Sequence, residues 1–331
     1  MNLRPYRLAC ALIMLPLALV AEPTNNSPVV LVQDPTAITG FTANEAKVQT
    51  MVSTGIKTLT GQTNETAAWR HFAGPDDMVA IKISTGSAPL QATRRPVVNA
   101  IVQGLLLAGV KRDRIVVFDR EPQTMKDAGY TGERELSVIP DSGWDADAVY
   151  ESKIVGKLIW GDFQFGRQDS ISTRSHFPKL LKTATKIINV PVLQDHEACG
   201  LSGCLYNLSL GLVDNARRFE MFGQRGDPWI AEIVSAPALK GKVVLNIMDA
   251  LVAGYAGGAV FKPRYSWPAG CLYFSRDPVA VDALAVEKLD AKRREANLPV
   301  IGERASHVKT AEKFGLGQAE RSHISLVEAK P

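Results

Sequence analysis

An α/β fold with a mainly parallel sheet and helices on both faces is what this 331-residue chain predicts, and three observations predict it. Short apolar, β-prone runs alternate with longer segments of helical periodicity, the pattern of parallel strands joined by helical crossovers. Two of these runs, Met78-Val79-Ala80-Ile81-Lys82-Ile83 and Val190-Pro191-Val192-Leu193-Gln194-Asp195-His196, end at polar side chains followed by small residues. Open α/β sheets bind ligands just beyond the carboxyl ends of their strands. A hydrophobic content of 46% with 22% charged residues is ordinary for a globular protein and excludes wholesale disorder.

The elements follow in order. Arg4 and Arg7 precede an apolar segment at 8–21, too short for a spanning helix and of the length of a secretory h-region. Residues 1–21 are therefore expected to be a signal peptide, 22–28 a mobile polar leader, and the location periplasmic or secreted. Losing Arg4 and Arg7 lowers the formal charge from +4 to +2, and no basic run with interleaved aromatics follows, so no nucleic-acid partner is expected. No later segment is apolar enough to span a membrane. Val29 to Val32 reads as a strand, and Thr42-x-x-Glu45 has capping-box spacing ahead of an amphipathic segment reaching Leu59. A strand at 78–83 leads through Ser84-Thr85-Gly86-Ser87-Ala88-Pro89 to a helix at 94–110 with Pro96 in its first turn. A strand at 114–119 and a short helix ending near Gly129 come next.

Residues 131–185 are turn-rich, with a strand pair around 149–159 and the aromatics Trp144, Tyr150, Trp160, Phe163 and Phe165. The alternation resumes with a strand at 186–193, helix or turn at 201–212, a helix at 229–235 and a strand at 242–249. A strand at 271–275, a long helix at 278–292 and a closing strand at 323–327 complete it. The sum is one Rossmann-like α/β domain over 29–331, carrying an irregular insertion at about 131–185.

The candidate chemistry gathers at strand ends. His196, flanked by Asp195 and Glu197, is able to ligate a divalent metal or act as a general base; otherwise it is a histidine hydrogen-bonded to backbone. Asp195 is the other candidate metal ligand. Asp277 before Pro278 reads as helix-start chemistry and is also a candidate ligand-binding residue, while Asp282 in an apolar turn either pairs with a cation or faces a pocket. Lys82 inside an apolar strand needs a partner or a task. With Thr85 in the small-residue loop and Arg95 at the following helix start, it forms a candidate anion site. Asp249 ends a strand ahead of Gly254-Tyr255-Ala256-Gly257-Gly258, but Gly-x-Gly-x-x-Gly is absent, as are Gly-x-Ser-x-Gly and Cys-x-x-Cys. A dinucleotide fingerprint, a hydrolase elbow and an iron–sulfur cluster are thus not expected. Beyond Cys10 the chain keeps Cys199, Cys204 and Cys271. In an oxidising compartment a Cys199–Cys204 bridge is expected, as these two share one short loop.

Several of these segments together resemble the domain-of-unknown-function 362 family. They are the Val79-Ala80-Ile81-Lys82 strand, Arg95-Pro96 with its helix ending Leu107-Ala108-Gly109-Val110, the 190–207 segment, Ser275-Arg276-Asp277-Pro278-Val279-Ala280-Val281-Asp282, and Phe314-Gly315-Leu316-Gly317. The resemblance spans roughly 78–328 and implies positions, Asn207 among the ligand-binding ones, rather than a reaction. Gln194 and Tyr206 stand where the family usually or often carries lysine, and the ferredoxin segment of some members is absent.

The expected function is an exported enzyme acting on a small anionic molecule, with His196 and Asp249 or Asp282 in acid–base or metal-assisted chemistry. The alternative is a periplasmic binding or redox-accessory protein using the same pocket without turnover. N-terminal sequencing of the native protein should begin near residue 22; a chain starting at Met1 refutes export by this segment.

Overall fold

The computed structural model describes residues 26–138, 143–153, 173–220, 223–258 and 260–331. The expected signal segment, most of the leader, Trp160, Phe163 and Phe165 lie outside the described residues.

The chain opens with β1 (Ser27–Gln33), the short β2 (Ile38–Thr39) and β3 (Thr42–Ala43), then α1 (Glu45–Thr60) and α2 (Glu65–Arg70). Thr42 belongs to a strand, so the capping box does not form. Asn44 caps α1 instead, its Oδ1 accepting from the Lys47 N–H at 3.1 Å. β4 (Val79–Ile83), α3 (Arg95–Leu107), β5 (Ile115–Asp119), α4 (Pro122–Asp127) and β6 (Glu135–Ser137) follow. The stretch expected to be irregular from residue 131 thus begins with a strand of the main sheet. Its strand pair is β7 (Trp144–Glu151) with β8 (Arg174–Pro178), a separate antiparallel ribbon, followed by α5 (Leu180–Thr183).

Pro191 has no N–H to donate and splits the next apolar run into β9 (Lys186–Val190) and β10 (Val192–His196). Then come β11 (Gly200–Ser202), α6 (Cys204–Asn207), α7 (Trp229–Val234), β12 (Val243–Gly254), β13 (Ser266–Trp267) and β14 (Cys271–Ser275). α8 (Pro278–Glu295), α9 (Ser306–Lys313) and β15 (Ile324–Ala329) close the chain.

The main sheet has the order β15-β1-β14-β12-β9-β4-β5-β6, with β10, β11 and β13 attached at the rim of β12. From β12 to β6 all neighbours are parallel. β14 is antiparallel to both β12 and β1, and β15 is parallel to β1. After β4 the chain steps to β5 and β6, but after β9, on the other flank of β4, it steps to β12. β4 and β9 therefore form the switch point where the strand order reverses. Met51, Trp69 and Ile101 of α1–α3 pack with Val30, Ile81 and Ile247 on one face. Leu205, Ile230, Leu284 and Val308 of α6–α9 pack with Leu31, Ala80 and Met248 on the other.

A polar row crosses this apolar sheet. Lys82, Asn189 and Asn246 are register partners on β4, β9 and β12, each at most 1% exposed. Lys82 Nζ donates to Asp119 Oδ1, Asn207 Oδ1 and the Ile83 carbonyl, each at 2.8 Å. Asn207 Nδ2 donates to Asn189 Oδ1 at 2.8 Å, and Asn189 Nδ2 to Asn246 Oδ1 at 2.9 Å. All three ammonium protons are used, as a buried charge requires. Burial still pulls the Lys82 pKa below the ordinary lysine value, against the opposing Asp119 carboxylate.

Removing one partner of such a pair strands the other. Lys82→Met should cost about 3–5 kcal/mol in urea unfolding. Adding Asp119→Asn to it should recover part of that loss, and a double variant as unstable as the two single changes summed would deny the coupling.

Candidate functional site

β4 and β5 run side by side, β4 carrying Lys82 one residue before its end and β5 ending at Asp119. The loop after β4 presents the Thr85 N–H and hydroxyl, and both donate to Asp119 Oδ2 at 2.7 Å. Asp119 Oδ1 accepts from Lys82 and from the Arg120 N–H, 2.8 Å each. The loop and lysine do form an anion nest, as their residue types imply, but the protein's own Asp119 fills it. Asp119 is the residue that the sequence reading passed over, though it stands at a strand end ahead of Arg120-Glu121.

Over this filled nest lies a cavity of about 230 Å³, at the switch point. Its walls come from the loop after β4 (Ser84, Gly86, Ser87), from Asp119, Arg120, Glu121 and Thr124 after β5, and from Gln194, Ser202, Tyr206 and Asn207. Arg217 and Glu220 close it on the outer side. Gln194, at the position where the resemblance supplies lysine, accepts from the Ser87 hydroxyl at 3.0 Å and donates to the Gly258 carbonyl at 3.0 Å. Tyr206 donates to Glu220 Oε1 at 2.5 Å. A second, more open cavity of about 820 Å³ adjoins, lined by Arg217 and Glu220 again and by His196, Glu197, Arg225 and Arg304.

His196 stands at the edge of this outer cavity, its ring 4.8 Å from the Tyr206 ring. Nδ1 accepts from the Cys199 N–H at 3.1 Å, which puts the proton of the neutral ring on Nε2, 3.9 Å from Glu220 Oε1. Burial lowers its pKa, which favours that neutral form. A ring held this way donates from Nε2; with its lone pair on Nδ1 already engaged, neither nitrogen is set to take a proton or ligate a metal. Asp195, the next residue on the strand, is turned elsewhere: Oδ2 accepts from the Gly258 N–H at 3.4 Å and lies 3.8 Å from Arg293. Burial raises its carboxyl to about 6. Among the described residues no group of three or more His, Cys, Asp and Glu side chains is placed to hold a metal ion.

The other expected carboxylates serve the backbone. Asp249 accepts from the Arg94 N–H at 2.9 Å and the Leu251 N–H at 3.0 Å, anchoring the start of α3 on the opposite face of the sheet from Lys82. Asp282 accepts from the Cys204 and Leu205 N–H groups at 2.6 and 2.9 Å and so caps α6 from across the chain. Burial pushes its carboxyl up to about 7. Asp277 caps α8 through the Val279 and Ala280 N–H groups and accepts from the Gln318 N–H at 2.8 Å. Because β14 runs antiparallel, Asp277 and Asp282 do not join Lys82 at the ligand edge. Arg95 is paired with Glu135 at 3.1 Å and stacked over Tyr130, away from both cavities.

The expected Cys199–Cys204 bridge is not formed: Cys199, Cys204 and Cys271 are all free and buried. The β10–β11 hairpin separates the first two. The Cys199 sulfur packs at Gly226, while Cys204 opens α6 beside Asp282. Burial raises the Cys199 and Cys204 thiols above their ordinary pKa, so both stay protonated.

Behind His196 lies His307 on α9, fully buried, with neither ring nitrogen hydrogen-bonded among the described residues. Burial pushes it down to about 4. The unfolded chain, with an ordinary histidine near 6.5, therefore binds a proton that the fold refuses between about pH 6.5 and 4. Its contribution is intact above pH 6.5 and lost as pH falls toward 4, by roughly 3 kcal/mol. In urea titrations at pH 7 and pH 4.5, His307→Leu should lose less stability on acidification than the parent chain. Equal losses would show that His307 does not set the acid limit.

No curated protein matches the chain. Residues 79–287, more than half of it, match the family described as Domain of unknown function (DUF362), a narrower span than the 78–328 suggested by the motifs. The match takes in β4 with Lys82, the switch point, the inner cavity's wall, the outer cavity's wall except Arg304, and the start of α8 with Asp282, so the chain belongs to the DUF362 family.

Proposed function

We propose that this chain is an exported binding protein whose ligand is a small anionic molecule, held in the crevice between β4 and β9 and its outer cavity. One observation carries the reading: a polar cavity sits at the switch point of the sheet, where doubly wound α/β folds bind ligands, and Arg217 at its mouth is an exposed cation with no side-chain hydrogen bond and no carboxylate within 4.0 Å among the described residues. Arg225 and Arg304 line the adjoining cavity and, among the described residues, hydrogen-bond only carbonyl oxygens, of Glu303, Ile301 and Glu197. Export is supported by Arg4, Arg7 and the apolar segment at 8–21.

Binding is favoured over turnover because Asp249, Asp277 and Asp282 spend their oxygens on backbone N–H groups, and His196 is held as a donor. An enzymatic reading keeps one specific support, Glu220, which touches Tyr206 and lies nearest His196. Thermal unfolding at constant ionic strength tests the binding reading. Phosphate at 100 times its Kd should stabilise the chain by about 2.7 kcal/mol, and Arg217→Ala should lose most of the effect. If phosphate, sulfate and citrate all act no differently from chloride, the reading fails.

A further inference from the structure

The two cavities differ in charge, and the difference defines a ligand. Counted with Arg217, which also lines it, the inner cavity is balanced: Lys82 pairs with Asp119 at 2.8 Å, Arg120 with Glu121 at 3.7 Å, and Arg217 offsets Glu220, whose Oε1 takes the Tyr206 hydroxyl at 2.5 Å. A ligand ammonium entering there meets carboxylates already bonded to Lys82, Arg120 or the Tyr206 hydroxyl, and a ligand anion finds the nest already filled by Asp119. What the inner wall does offer is hydroxyl and amide chemistry: Ser84, Thr124, Ser202, Tyr206 and Gln194. The Ser84 and Ser202 hydroxyls have no partner among the described residues. Hydroxyls both donate and accept, and carboxylates already in pairs still accept a further hydrogen bond. The volume of about 230 Å³ corresponds to roughly seven or eight waters' share of liquid, room for one sugar-sized ring.

The outer cavity is unbalanced. Arg217, Arg225 and Arg304 face Glu197 and Glu220, leaving one surplus cation, and none of the three arginines has a carboxylate within 4.0 Å among the described residues. Arg217 lines both cavities. A guanidinium presents only donors, in a fork that suits phosphate or carboxylate.

We infer that the ligand is a hydroxyl-rich small molecule bearing one anionic group, of the class of sugar phosphates and sugar acids, with its hydroxyls in the inner cavity and its anion on Arg217. This rests on the binding reading above and adds the class of ligand.

Calorimetric titration of the purified chain at constant ionic strength tests it, using ribose 5-phosphate, glucose 6-phosphate, glucuronate, inorganic phosphate and glutamate as probes. At least one of the three sugar probes should bind ten times tighter than inorganic phosphate; which of them does separates a phosphate from a carboxylate anion. Ser84→Ala with Ser202→Ala should bring that probe down to the affinity of phosphate while leaving phosphate itself unchanged, which also shows that the variant is folded. Arg217→Ala should weaken both about tenfold or more. If phosphate binds as tightly as every sugar probe, or glutamate binds tightest, the sugar assignment falls and the anion-binding reading stands. If none of the five binds, both fall.

Discussion

The buried ammonium of Lys82 is the interaction on which this site depends. A charge at 1% exposure in a central strand is tolerable only with acceptors on every proton, and the fold recruits them from two further elements, Asp119 at the end of β5 and Asn207 on α6. Asn207 must then place its own amide, which it gives to Asn189, and Asn189 in turn to Asn246. One buried charge therefore orders a chain of side chains across three strands and ties α6 to the sheet. Asp282 fixes α6 from the other end through the Cys204 and Leu205 N–H groups. A four-residue helix has little stability of its own, so these two clamps supply its position.

The same constraint decides where a ligand's charge goes. A lysine beside a loop rich in N–H groups is an anion site by composition, and its residue types reveal nothing of the Asp119 that completes it. With that carboxylate in place, the cavity floor is polar but neutral. The surplus of positive charge lies farther out, where Arg217, Arg225 and Arg304 face Glu197 and Glu220. Attraction of an anion and recognition of the body that carries it thus fall to different parts of the crevice.

Much of the architecture was legible in the sequence because the apolar strands and amphipathic helices are driven by burial that periodicity records. β4, β5 and α3 lie where the pattern places them. What escaped depends on single backbone groups or on the partner strand. Pro191 breaks a run that hydrophobicity alone joins, Asn44 outcompetes Thr42 as a cap, and the antiparallel direction of β14 is set by its neighbours rather than by its own residues. The site was legible as a neighbourhood: Lys82, Thr85, Gln194, Tyr206 and Asn207 do converge. Asp277 before Pro278 announced its cap, but Asp249 and Asp282 did not declare their roles, because a carboxylate meeting backbone N–H groups has the same one-letter code as one meeting a ligand. Asn189 and Asn246 left a faint signal, amides inside runs too apolar for a solvated face. Arg217 and Glu220 left none, lying in a segment without periodicity.

The motifs that carry the family resemblance prove to be clamps. Asp277 takes the Val279, Ala280 and Gln318 N–H groups and the Ser27 hydroxyl, so one carboxylate joins the start of α8, the C-terminal segment and the first strand. A side chain at Gly317 would put its Cβ 1.8 Å from Asp277 Oδ1, and one at Gly203 would sit 2.3 Å from Asp282 Oδ1. These glycines and aspartates answer each other sterically, at contacts that no ligand enters. The positions facing the cavities are mixed: Lys82, His196 and Asn207 also fall within these motifs. Gln194 and Tyr206 depart from the residues the resemblance supplies, and Arg217 and Glu220 belong to none of its motifs. Part of each cavity wall therefore lies outside the motifs or departs from them, so ligand choice in this chain must be argued from its own cavity residues.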